Sequence, residues 1–160
     1  MLMRIASLGC VILLAVSASA GAQSRPPAAQ EVAAIRGCAT QYKDNLDDGD
    51  YQCLFKLVAT PCINAATPGA DAAMADCYEI EGAIWDQLLN ENYKALLGTL
   101  DNQQTAQARA MQRAWIADRD ATCRFYDDKI QGSMSIMMHA ACVTRETAWR
   151  AMLLQFLSRL

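Results

Sequence analysis

Histidine is almost missing from this sequence. One imidazole in 160 residues excludes most histidine-rich metal sites and leaves few routes to acid–base catalysis. Four prolines and eight glycines supply too few breaks for a sandwich of many short strands. Basic residues are not in excess either. Fourteen Lys and Arg stand against seventeen Asp and Glu, a formal charge of −3, so no dominant basic surface is left for nucleic acid. No apolar run reaches the roughly 20 residues that a membrane-spanning helix requires. The chain that remains is 53% hydrophobic and 19% charged, too apolar for disorder and long enough for one domain with its own core.

The apolar residues concentrate first at the N-terminus. Arg4 precedes an almost uninterrupted apolar run from Ile5 to Val16, followed by the small-residue triplets Ala18-Ser19-Ala20 and Ala20-Gly21-Ala22. That order reads as a secretory signal peptide over residues 1–22, cleaved after Ala22, with Ala20 as second choice. Cys10 does not fit a lipid-attachment site, because Ser7 stands where a branched apolar residue is wanted and Cys10 lies inside the run. Loss of the leader removes Arg4 and makes the chain one unit more negative. The expected destination is the periplasm or the exterior. Residues 23–29 (Gln-Ser-Arg-Pro-Pro-Ala-Ala) read as a flexible leading segment.

Cleavage sorts the seven cysteines. Cys10 leaves, and Cys38, Cys53, Cys62, Cys77, Cys123 and Cys142 remain. An even number in an exported chain implies disulfides rather than catalytic thiols. The absence of any Cys-x-x-Cys pair weighs against zinc.

The rest reads as helices joined by short connections. A first helix is expected over Gln30–Leu46, broken by Asp47-Asp48-Gly49-Asp50, and a short second over Tyr51–Thr60, stopped by Pro61. Thr67-Pro68-Gly69-Ala70-Asp71 opens a long helix reaching about Leu100, with Cys77, Ile80, Ile84 and Leu88 on one apolar stripe. Another covers Thr105 to Asp127. Gln131-Gly132 is then a turn, Ser133 a cap, and the last helix reaches Ser158. No segment alternates with period two. The expected class is all-α, a disulfide-stapled antiparallel helical bundle of three to four main helices.

Cys123 and Cys142 lie at nearly equal distances from Gly132, so antiparallel helices folded about that turn bring the two sulfurs level. The same register sets Arg145 against Asp120 and Arg119 against Glu146, and stacks Trp115 near Trp149. Arg145 lies on an apolar stripe with Cys142, Trp149 and Met152, where its charge needs a partner such as Asp120. The other four cysteines allow three pairings. The favoured one joins Cys53 to Cys62 across Pro61, and Cys38 to Cys77.

Other constellations fall short of a site. Asp44 to Gly49 is no calcium loop, since Leu46 and Phe55 occupy ligand positions. Met134, Met138 and Cys142 recur every four residues beside Met137 and His139, an arrangement that suits cuprous copper, but helical methionine spacing is more often core filling. Glu79 and Glu81 do not face each other on a helix. No nucleophile has a partnered base. The expectation is no enzyme, no cofactor and no metal.

One pattern spans the second half. Cys77-Tyr78-x-x-Glu81-x-x-x-Trp85-Asp86-x-x-Leu89-Asn90-x-x-Tyr93 is followed by Gln112-Arg113-Ala114-Trp115-Ile116-x-x-Arg119-Asp120-x-x-Cys123, then Gly132-Ser133 and Cys142-x-Thr144-Arg145. This resembles the LprI-like lysozyme-inhibitor family over 77–160, with residues 30–76 as an N-terminal helical extension. The resemblance implies a small exported helical domain that acts by binding, and makes a lysozyme-type glycan hydrolase the expected partner. Trp85, Asn90, Tyr93, Trp115, Arg119, Asp120, Arg145 and Trp149 are expected to be structural. The connection Asp127–Ser133 is the expected binding element, with Lys129 and Ser133 donating to cleft carboxylates and Asp127 and Asp128 steering. The alternatives are an envelope interaction module of other function or a methionine-rich copper protein.

Overall fold

The computed structural model describes residues 24–67 and 69–160; the leader and its cleavage site lie outside them. Among the described residues there are six helices and no strand: α1 (Ala29–Gln41), α2 (Leu46–Cys53), α3 (Ala59–Ala65), α4 (Asp71–Leu97), α5 (Asn102–Ile130) and α6 (Ser133–Leu157). The class is all-α.

The last three helices run up, down and up. Cross-links with rising numbers on both sides tie α4 to α6: Ser133 Oγ donates to Asp71, Thr144 Oγ1 to the Tyr78 carbonyl and Asn92 Nδ2 to the Ala151 carbonyl. These two helices are therefore parallel, and α5 is the antiparallel return between them in sequence. In space, however, α6 lies in the middle, packed chiefly on α4, with α5 against its other side. The close approach is set by small residues. A β-carbon on Gly82 would lie 2.7 Å from Thr144 Oγ1, so only glycine lets the helices meet there. Ile80, Ile84, Trp85, Leu88 and Leu89 of α4 meet Ala148, Ala151 and Leu154 of α6 in the core, capped by Ile35 of α1. By contrast α5 buries only Ala108, Gln112 and Cys123 of its 29 residues. It starts on a capping box: Asp101 accepts from the Gln104 amide and the Gln104 side chain accepts from the Asp101 amide.

The N-terminal third departs from the expected boundaries. The Asp47-Asp48-Gly49-Asp50 run does not break a helix but opens α2, because Asn45 caps it by accepting from the Asp48 amide and the acids lie in the favourable first turn. Gly49 allows α2 to approach α6, its would-be β-carbon 3.0 Å from Met152 Sδ. Pro61 does not stop a helix either. It sits in the first turn of α3, where no intrahelical donor is needed.

These shifts change the disulfides. The bridges join Cys38 to Cys53, Cys62 to Cys77 and Cys123 to Cys142. The expected Cys38–Cys77 and Cys53–Cys62 pairs are not made. α1 and α2 form a short hairpin that brings Cys38 and Cys53 together, while α3 lies on α4 and sets Cys62 over Cys77.

Candidate functional site

A buried carboxylate holds the N-terminal segment against the bundle. Glu81 is fully buried on α4, and its two oxygens accept from the backbone amides of Phe55 (2.7 Å) and Ala59 (2.9 Å) and from Trp85 Nε1 (3.1 Å). Burial pushes its carboxyl above the ordinary range, opposed by those donors. Phe55 is held at φ 63, a conformation its side chain disfavours, with its ring edge-on to Tyr78. Sequence reasoning gave Glu81 no role. Its signal was the Glu81/Trp85 spacing, which puts the two side chains on one helix face.

The other expected structural residues divide. Trp85 is buried on Glu81, Asn90 donates to Asp86 on its own helix, and Tyr93 packs against the core. Trp115 does not stack on Trp149. Arg119 and Arg150 lie over its ring at 5.0 and 5.5 Å, and Trp149 is exposed. Asp120 bonds its neighbour Arg119 at 2.7 Å, and Arg145 bonds its own neighbour Glu146, so neither expected interhelical ion pair forms. The reason is the rotation of α6. Its packing on α4 turns Arg145 and Trp149 outward and Arg150 inward, where Nε donates to Gln112 Oε1 at 2.9 Å. Arg150 is the buried cation. Among the described residues it has no carboxylate partner, and burial lowers its pKa.

The expected binding connection is largely helix. α5 continues to Ile130, so Asp127, Asp128 and Lys129 occupy its last turn, and only Gln131 and Gly132, both at positive φ, form the turn. The N-cap of α6 is Gly132, not Ser133, whose hydroxyl is spent on Asp71 at 2.7 Å. Asp127 accepts from His139 Nδ1 at 2.7 Å. Asp128 and Lys129 remain exposed without partners among the described residues. Lys129 edges a shallow, mainly apolar depression of about 440 Å³ with Thr122, Phe125, Tyr126 and Ile130.

A second concavity, of about 460 Å³, lies between α4 and α5 with α6 as its floor. Glu79, Gly82, Ala83 and Asp86 form the α4 wall, Ala140, Val143 and Thr147 the floor, and Arg119 reaches in from α5. His139 sits at the hairpin end of this groove, so the groove and the α5–α6 hairpin are one continuous surface. Sequence reasoning placed Glu79 only in a failed acid pair and Asp86 only in the family pattern, without a site role.

No group of three or more His, Cys, Asp or Glu side chains that could hold a metal occurs among the described residues. Cys142 is bonded to Cys123, so it is no thiolate for copper. No helix among the described residues is long and apolar enough to cross a membrane. A family model described as lysozyme inhibitor LprI matches residues 62–154. No curated protein and no solved structure matches the chain.

Proposed function

From the LprI lysozyme-inhibitor family, to which the chain belongs, we propose that this protein is an exported inhibitor that occludes a lysozyme cleft. The family is described as one of lysozyme inhibitors, and the family match is the observation that carries the reading. Residues 1–22 act as the leader, removed after Ala22, and residues 30–76 as an extension clasped to the 77–160 domain.

Lysozymes cleave glycan with two carboxylates in an open cleft, one a general acid of raised pKa and one ionised. An inhibitor needs to fill that cleft and satisfy the carboxylates with donors. The α5–α6 hairpin end suits this task. Lys129 supplies the ammonium donor, Asp128 steers a basic partner, and Asp127 and Ser133 hold the end through His139 and Asp71. The Cys123–Cys142 bridge fixes the hairpin beforehand, which lowers the ordering cost of binding.

The test is lysozyme activity on cell walls, titrated with oxidised protein beginning at Gln23 and with a reduced, alkylated control. Saturable inhibition by the oxidised form alone, weakened by Lys129→Ala, supports the proposal. No inhibition of several lysozyme types at micromolar protein refutes it and leaves an envelope partner of another kind to be sought.

A further inference from the structure

The groove beside the hairpin has a charge pattern that its own residues do not balance. Glu79 and Asp86 are seven residues apart on α4, which places them on one wall roughly 10 Å from each other along the helix. The two groups in the groove capable of positive charge are already matched: Arg119 by Asp120 at 2.7 Å and His139 by Asp127 at 2.7 Å. Glu79 and Asp86 have no cationic partner among the described residues, and Asp86 accepts only from the Asn90 amide. The space between them is floored by apolar and hydroxyl side chains, and the α4 wall is cut back to Gly82 and Ala83. Both carboxylates are solvent-exposed beside an apolar floor, so they are open to an incoming cation whose apolar stem can lie on that floor.

We propose that this α4–α5 groove is the docking surface for a basic segment, Lys and Arg side chains rimming the cleft of a lysozyme. This rests on the inhibitor reading and adds to it the face used. The stems of such side chains would lie along Ala83, Ala140 and Val143 while their charged heads meet Glu79 and Asp86. Because the groove runs on from the hairpin end, Lys129 enters the cleft while the groove grips its rim.

The chain's single histidine lies in the groove, so its ring resonances report occupation directly. A basic lysozyme is titrated into labelled protein beginning at Gln23, with inhibition measured on the same samples. The His139 ring signals are expected to shift on binding by the wild type. Glu79→Lys with Asp86→Lys weakens binding about tenfold or more, and Glu79→Gln with Asp86→Asn weakens it in the same direction with less effect on folding. The matched reversal Asp44→Lys with Asp47→Lys, at exposed positions before and within α2 that do not line the groove, stays within about twofold of wild type. If the groove pairs bind like wild type while wild type inhibits, docking lies elsewhere and the inhibitor reading stands. If wild type neither binds nor inhibits, both fail.

Discussion

Replacing Cys123 and Cys142 together by serine tests how α5 is held. This helix buries only three of its 29 residues, so packing alone gives it little purchase. Its other ties to α6 include the Gln112–Arg150 and Asp127–His139 hydrogen bonds and the Arg150 guanidinium over the Trp115 ring. The bridge spans a sequence separation of 19. Closing a loop of that length removes unfolded-chain entropy equivalent to about 3 kcal/mol at 25 °C. The double serine variant should therefore lose about 3 kcal/mol in urea denaturation with the other two disulfides intact. The loss should also be local. Amides over 113–130 should exchange with solvent well before those of α4, because α4 keeps its contacts with α6 and α1. A loss below about 1 kcal/mol, with α5 as protected as in wild type, would refute the argument that the bridge rather than packing holds this helix.

Three further substitutions probe the polar interior and the helix contact. Glu81→Ala strands the Phe55 and Ala59 amides and the Trp85 indole, and should cost about 3–5 kcal/mol by chemical denaturation, with Glu81→Gln costing less. Since burial raises the folded-state pKa of Glu81, its contribution is fullest below the ordinary carboxylate range and declines as pH rises through the raised value. The gap between wild type and Glu81→Gln should accordingly narrow from about pH 4 toward neutrality. Arg150→Met combined with Gln112→Leu removes a buried charge without a counter-charge together with its one acceptor. The pair should fall within about 1 kcal/mol of wild type or exceed it, as calorimetry would show. Gly82→Ala drives a methyl into Thr144 Oγ1 and should cost about 1–3 kcal/mol, partly recovered by adding Thr144→Ala, which removes that oxygen.

Much of the bundle was legible because its signals are local. Apolar spacing marked the three long helices, and a glycine turn equidistant from Cys123 and Cys142 marked where they fold back. The N-terminal cysteines were not legible, since the turn between Cys53 and Cys62 is wrapped around Glu81, far along the chain. Pro61 read as a stop because nothing nearby announced a new helix beginning at Ala59. The exchange of Arg145 for Arg150 as the buried cation has a similar origin. A hairpin register fixes which residues of α5 and α6 are level, but the rotation of α6 is set by its packing on α4. The candidate site suffered the same way. Asp127–Ser133 has a turn-like composition, yet helix propensity carries α5 through to Ile130, and two of the four expected binding residues are spent holding the hairpin.

The central claim is that this protein works by filling a lysozyme cleft. It is tested most directly by measuring its affinity for a lysozyme at rising concentrations of a chitooligosaccharide that occupies the same cleft. Apparent Kd should rise in proportion to the sugar, with Lys129→Ala weakening the sugar-free binding. Binding that is indifferent to saturating sugar would contradict cleft occlusion and place the contact elsewhere on the enzyme.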